Sequence, residues 1–518
     1  MMANGAVQSL ERGAPGLVVL ASGLGLLVGF SFIGQPVGIF IPLFSIILIL
    51  TLAAQTRAQE GRSFGRNLWL LLLILFFSVM AAVRAAGFGT FLNLGSILIL
   101  LVWLAYSFPG LDLHTQSFFD YLWRPLSSLF EMSFARPGMA LGVSWKQWQN
   151  NRSGAAQILP ALRGMILAAP VVIIFTLLLV SADPIFGKQV GNFLKFIHLD
   201  NLPEAIARLV ISSLAAWFVL GGLAYALRPL TKEIHPEGDS SQPGKGLFNF
   251  TEAGVVLGSV DALFAAFVVV QFRYFFGGRS NINLEGFTYA EYVRRGFTEL
   301  VIVAVFSLGL GLILQSWTRR KSRSDVAGFE ILAVLLVGLT GVILASAFKR
   351  LLLYEEAYGF TQLRTYVHVF MTWLGLLLVV FIVTLHFNRP RLFLFGLFLA
   401  FFGFCATLNI LNTDVFIVRS NLARYAQSGK LDAEYLATLS EDAVPDLLRA
   451  MEWVGPSEKL VLGSALHYRL DALDALHKRL DWGGWHLARF RAYQLLKQAE
   501  NDLEQYEPRR YEWTIPID

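Results

Sequence analysis

The chain has 518 residues, is 55% hydrophobic and only 15% charged, and has a mean hydropathy of +0.57. That balance excludes an ordinary soluble domain. The net charge of +5 sits in loops of the apolar part, the segment after Asn412 being net acidic. No basic run is interleaved with aromatics, so nucleic acid is excluded as a partner and anionic lipid headgroups are favoured.

A hydrocarbon core of ~30 Å needs ~20 apolar residues per helix, and about eleven segments come close to that. They are Gly16–Phe32, Gly38–Ala54, Leu68–Val83, Phe88–Ser107, Met165–Ser181, Ala205–Ala226, Gly254–Phe272, Gly296–Gln315, Ala327–Ala347, Tyr366–Phe387 and Leu392–Ile410. The predicted fold is all-α: a polytopic membrane bundle with a small C-terminal helical domain outside the membrane. Met1–Arg12 is polar, and the first span follows as an uncleaved helix. The first two spans are Gly-rich and joined by Ile33-Gly34-Gln35-Pro36, which leaves a re-entrant pair as an alternative. Cys405, the lone cysteine, lies inside the last span, so no disulfide framework exists.

Direction follows from the basic loops. Arg319-Arg320-Lys321 and Arg323 form the strongest cluster and mark a cytoplasmic loop. The same register puts Arg57, Arg62, Arg66, Lys146, Arg152, Arg389 and Arg391 inside as well. The N-terminus is then inside and the C-terminus outside.

Four regions result. Residues 1–231 hold the N-terminal membrane helices, with an interfacial loop at 108–160. Residues 232–246, rich in Pro, Gly and Ser, form a flexible cytoplasmic linker. Residues 247–412 hold the C-terminal membrane helices, and 413–518 form the extracytoplasmic helical domain. Within the first, Ser117–Phe134 is rich in aromatics and reads as an in-plane interfacial helix or as a loop resting on the bilayer. No internal repeat is visible, so the repeat-based argument for a transporter finds no support. In the last region Asp432–Leu439, Glu441–Met451, Ser457–Leu480 and Trp485–Tyr506 read as amphipathic helices, with Ser440 and Ser457 as caps and Pro445 early in its helix. Trp453, Trp482 and Trp485 are expected in that domain's core.

Catalytic motifs are weak. Gly61-Arg62-Ser63-Phe64-Gly65 matches an esterase elbow without a preceding strand. The run from Gly238 to Gly246 is spaced wrongly for a phosphate loop. The histidines show no metal-ligand spacing, and nothing implies a metal or a cofactor.

Charges in or beside the membrane are stronger signals, because they are costly there. Asp261 lies mid-span with no basic residue at comparable depth. It is a candidate proton or ion site. The plainer alternative is a protonated acid bonded to a Ser or Thr across a helix contact, with Gly254, Gly258 and Ala265 allowing close approach. A second cluster gathers at the outer ends of successive helices: Arg273, Tyr274, Glu291, Arg294, Arg295, Glu299, Glu355, Glu356, Tyr358, Arg364 and His368. Glu291, Arg295 and Glu299 share a helical face, as do Arg364 and His368. Such a vestibule could hold an anionic headgroup or a glycan phosphate. The alternative is an ion-pair network locking helix ends, with tyrosines as interfacial belt. Glu330, near the inner end of its span, is expected to snorkel or to pair with Arg320.

Three stretches resemble a known family: Phe272-Arg273-Tyr274-Phe275-Phe276-Gly277-Gly278, Thr288-Tyr289-Ala290-Glu291-Tyr292-Val293-Arg294-Arg295-Gly296-Phe297, and Leu353-Tyr354-Glu355-Glu356-Ala357-Tyr358-Gly359-Phe360-Thr361. The segment Leu411-Asn412-Thr413-Asp414 through Asn421-Leu422-Ala423 fits too. The chain over roughly 254–448 is similar to a bacterial multipass family catalogued only as a domain of unknown function. That resemblance implies a protein of the bacterial inner membrane and cell envelope, and it carries no activity or catalytic residue. The expected role is non-enzymatic: binding, sensing or assembly with membrane lipids, and with an envelope protein, lipid or glycan. The alternatives are a secondary transporter or channel using Asp261, and a membrane enzyme on a lipid-linked substrate with Glu355 or Glu356 as base.

Overall fold

The computed structural model describes residues 14–32, 34–58, 67–108, 118–150, 202–228, 247–276, 297–320, 322–387 and 389–511. In lipid, an apolar run satisfies its backbone groups internally only as a helix. The N-terminal part holds α1 (Ala14–Phe32), α2 (Phe40–Ala58), α3 (Trp69–Val83) and α4 (Gly87–Ser107). It continues with α5 (Phe118–Phe130), a π-helical turn at Glu131–Ala135, α6 (Arg136–Asn150) and α7 (Leu202–Ala226). Next come α8 (Phe250–Phe276), α9 (Phe297–Trp317), α10 (Arg323–Tyr358), α11 (Gln362–His386) and α12 (Pro390–Leu411). Among the described residues, eight helices are long and apolar enough to cross a membrane, and Phe40–Gln55 and Trp69–Val83 are shorter apolar helices. They match every expected span except Met165–Ser181, which lies outside the described residues, as does the linker 232–246. The protein is a polytopic helical membrane bundle. Among the described residues, the one minor departure from all-α is a two-residue parallel ladder, Phe248↔Thr318 and Asn249↔Arg319, which ties the start of α8 to the end of α9.

α1 is a full helix of 19 residues. It packs against α7 through small residues. A Cβ on Gly25 would collide with the Ser212 carbonyl and Ala216, and one on Gly29 with Ser212 and the Arg208 carbonyl. Four-residue spacing of small side chains on both helices lets their backbones touch. The segment expected to be interfacial is helical. α5 exposes Trp123, Leu126, Leu129 and Phe130. Its other side meets α7, where Ser128 Oγ lies 2.7 Å from Tyr225 Oη and Trp217 Nε1 donates to the Ser133 carbonyl at 2.6 Å. The π turn sits over Gly221, whose Cβ would strike the Met132 carbonyl.

α8 and α10 lie side by side. Ala253, Leu257, Asp261, Val268 and the half-buried Gln271 form the inward face of α8, while Ala265 is exposed and nothing approaches Gly258. The close-approach face expected from Gly254, Gly258 and Ala265 is therefore corrected: the packed face lies around the helix from it. α10 begins in a reciprocal box, with Ser322 Oγ accepting from Asp325 N at 3.0 Å and the Asp325 carboxylate accepting from Ser322 N at 3.1 Å. It runs 36 residues, about 54 Å at 1.5 Å per residue, well past a hydrocarbon core. Gly359, with φ +83°, stops it. At its start, Glu330 pairs with His386 at 2.8 Å, and Arg320 lies over the Phe329 ring instead. The expected Glu330–Arg320 pair is thereby corrected.

After α12 the left-handed Asn412 (φ 50°) turns the chain into α13 (Thr413–Ser428). α14 (Ala433–Ala437), a 3₁₀ turn at Glu441–Ala443, α15 (Val444–Ala450), α16 (Pro456–His477), a 3₁₀ turn at Trp482–Gly484, α17 (Leu487–Gln498) and α18 (Glu500–Leu503) complete the domain. Pro445 does sit in the first turn of α15. Ser440 makes no side-chain cap bond, and α16 is capped by Gly455 with Pro456 following, so Ser457 is not the cap. Leu436, Val444, Leu447, Leu462, Leu466 and Leu496 fill the core. The tryptophans do not: Trp453 is 50% and Trp482 57% exposed, and Trp485 is half-buried.

Candidate functional site

Loops 34–39, 84–86 and 359–361 meet at one end of the bundle, and the C-terminal domain is fastened across all three. Ile39 N donates to the Trp485 carbonyl at 2.8 Å, and Gln35 Nε2 to Asp481 Oδ2 at 3.1 Å. Asp442 accepts from Ala85 N at 2.6 Å and lies 3.6 Å from Arg84. Burial raises the Asp442 pKa, against the pull of the Ala85 N–H and Arg84. Asn421 clamps loop 359–361 with both amide atoms, accepting from Phe360 N at 2.9 Å and donating to its carbonyl at 2.8 Å. Tyr435 Oη accepts from Gln362 N at 2.7 Å, and burial pushes its pKa up to about 12. Asp414, wholly buried, joins Gln362 Nε2 at 2.7 Å to Ser440 N at 2.9 Å.

Beside this joint stand several candidate residues from the charged cluster. Glu355, 1% exposed, meets His368 Nδ1 at 3.0 Å. Arg364 stacks on Tyr354 at 4.1 Å and donates to the Gly359 carbonyl, and Tyr354 stacks edge-on with the exposed Tyr358. Arg424 of the C-terminal domain donates to the carbonyls of Glu356 (2.9 Å) and Ala357 (2.7 Å). Glu299 is exposed in the first turn of α9. Glu291, Arg294 and Arg295 lie outside the described residues, as do the side chains of Arg273 and Tyr274. Among the described residues no group of three His, Cys, Asp or Glu could hold a metal.

A groove of about 430 Å³ runs between α10 and α11, from Val337 to Phe348 on the first and from Met371 to Ile382 on the second. Gly338, Gly341, Ala345 and Gly375 open it, and Phe348 and Thr372 line its upper end. Phe348 stacks on the His368 ring at 4.5 Å. The positions recur at helical spacing, Gly341, Phe348 and Glu355 on α10 and His368, Thr372, Gly375 and Val379 on α11, so pair and groove share one face. The groove spans about eleven residues of α10, roughly 16 Å, close to one ~15 Å leaflet. Deeper in the bundle, Asp261 is 3% exposed on the α8–α10 contact, and neither carboxylate oxygen has a hydrogen-bond partner among the described residues. Among the described residues, no Ser or Thr bonds to it.

The model of one family, Domain of unknown function (DUF4153), matches residues 71–450. The chain belongs to that family. The match begins far ahead of the resemblance read at 254–448, so the family unit includes α3 to α7 and reaches the end of α15. No curated protein and no solved structure matches the chain.

Sequence reading missed the polar contacts that join the halves. Asn93 on α4 and Asn409 on α12 exchange amide bonds of 3.0 and 2.7 Å inside the core. Arg84 Nε donates to the Asn409 carbonyl at 3.0 Å. The available signal was an Asn inside each of two apolar runs, which is costly in lipid unless paired.

Proposed function

We propose that the protein is a non-enzymatic binding component of the bacterial cell envelope. It lies in the inner membrane with its N-terminus inside and the C-terminal domain outside, and it holds an amphiphilic envelope molecule at the outer ends of α10 and α11. One observation carries this reading: a leaflet-length apolar groove reaches Phe348, whose ring packs on the His368 imidazole that meets the buried Glu355, beside a rigidly fastened outer domain. An apolar slot with a few polar groups at one end suits a ligand with a hydrocarbon chain and a polar head. No serine or cysteine nucleophile lines the groove, which favours binding over turnover.

Nothing lies within 4 Å of a Cβ at Gly341. Gly341→Leu should fold and gain about 0.5–1 kcal/mol from helix propensity, yet fill the groove. Native mass spectrometry of the purified protein should show a retained lipid that this variant loses. Equal lipid retention by a folded Gly341→Leu would overturn the reading.

Asp261 supports a second reading, a proton- or cation-coupled transporter. A buried carboxyl without a partner is held at a cost of several kcal/mol unless it serves a purpose. Reconstituted vesicles decide between them. On the binding reading, an imposed pH gradient drives no flux that depends on Asp261. A flux abolished by Asp261→Asn, in a variant with unchanged melting, would establish transport.

A further inference from the structure

We infer that the C-terminal domain is seated in the headgroup layer of the leaflet on its own side of the membrane through Trp482. The inference is independent of the binding reading and of which side that is. Gly483 and Gly484 press the turn at Trp482–Gly484 onto the α1–α2 loop. A Cβ on Gly483 would lie 3.3 Å from the Ser31 carbonyl, and one on Gly484 2.9 Å from Gln35 Oε1. From the loop side, a Cβ on Gly38 would lie 2.6 Å from the Gly484 carbonyl carbon. No side chain fits between the two backbones, so the height of the turn is fixed by the helix ends. Trp482 then meets Phe40, the first residue of α2, edge-on at 6.4 Å. Phe40 itself is covered, but the indole remains 57% exposed.

The surface around it continues into the lipid-facing side of the bundle. Phe30 and Phe32 at the end of α1, and Leu43, Ile46 and Ile47 along α2, are all exposed. Arg479 and Arg491 are exposed nearby in sequence on either side of the turn, whereas the charge of Lys478 is met by Asp474 at 2.8 Å. An exposed indole at the end of apolar helices fits the headgroup layer, where the ring's apolar body and its N–H are both satisfied. The partner is therefore a phospholipid surface and not a second protein.

The test places a nitroxide at this site in vesicles of phosphatidylethanolamine and phosphatidylglycerol. Cys405 is buried, so Trp482→Cys in a Cys405→Ser background labels one position. Leu460→Cys is the comparator. Leu460 is exposed on α16, about 25 Å along the helix from its end at His477. The label at 482 should be relaxed by oxygen more than by a water-soluble nickel chelate, and the label at 460 the reverse. If Trp482→Cys fails to fold, brominated lipid should quench wild-type fluorescence more than that of Trp482→Phe. A label at 482 as open to nickel as that at 460, or quenching unchanged in Trp482→Phe, overturns the proposal.

Discussion

Asp414→Ala should be the most damaging single substitution in the joint between bundle and C-terminal domain, with a loss of about 3–5 kcal/mol. Its carboxylate accepts from the Gln362 side chain at 2.7 Å and from Ser440 N at 2.9 Å, and it is 0% exposed. Each hydrogen bond to a charged group is worth about 1.5–3 kcal/mol, and truncation also leaves a buried donor unsatisfied on each side. The two bonds lead to different places, one to the first residue of α11 and one to the turn before α15. A single side chain thus ties the domain's turn at Ser440 to the start of α11. Asp414→Asn keeps one acceptor oxygen and should lose less, about 1–2 kcal/mol. Thermal melting in detergent, with limited proteolysis to detect release of the domain, reads both. A melting loss for Asp414→Ala no greater than for Lys497→Ala, an exposed control paired with Glu500, would refute the role.

The spans were legible because the bilayer imposes a length and a composition on them. Met165–Ser181 aside, each expected span has an apolar helix at its place. The helix caps of the C-terminal domain were read less well, since a Gly-Pro pair at 455–456 starts α16 as effectively as Ser457 would have. The tryptophans misled because indoles serve both cores and surfaces, and periodicity does not distinguish them. Two of the four stretches that carry the family resemblance form one physical object. Leu353–Thr361 ends α10 and Asn412–Ala423 begins α13, and Asn421 is bonded to Phe360 by both of its amide atoms. Gly359 fits there because its φ is positive and a Cβ would meet Asn421 Oδ1 at 2.5 Å. Sequence could supply both halves of that contact but not their meeting, which depends on how α10 to α12 fold back. Asp261 was singled out on cost alone, and its inward placement follows from the same cost. The absence of a partner among the described residues depends on packing detail that no single-sequence pattern encodes.

Acidification should loosen the same joint at its other edge. His486 is 3% exposed, its Nε2 lies 3.2 Å from the Arg84 carbonyl, and its Nδ1 is buried with no partner among the described residues. The tautomer that fits carries its proton on Nε2 and donates it to Arg84. Burial first, and the Arg489 guanidinium second, bring its pKa down from 6.5 to about 4. A folded pKa below the unfolded one gives stability that is fully present above pH 6.5 and lost as pH falls through 4. At 1.36 kcal/mol per pKa unit the whole loss is about 3 kcal/mol. Asp442, across the joint, runs the other way. Its raised pKa means that protonation favours the folded state, so falling pH partly offsets the His486 loss. The difference between wild type and His486→Gln separates them. Gln can still donate to the Arg84 carbonyl but does not titrate, so its melting temperature should stay flat, or rise, where that of wild type falls between pH 6.5 and 4.5. Release of the domain by protease should follow the same window. Parallel pH profiles for the two proteins would show that His486 does not set the acid sensitivity. If the domain faces the cell exterior, as proposed, external acid would act first where it is held to the α3–α4 loop.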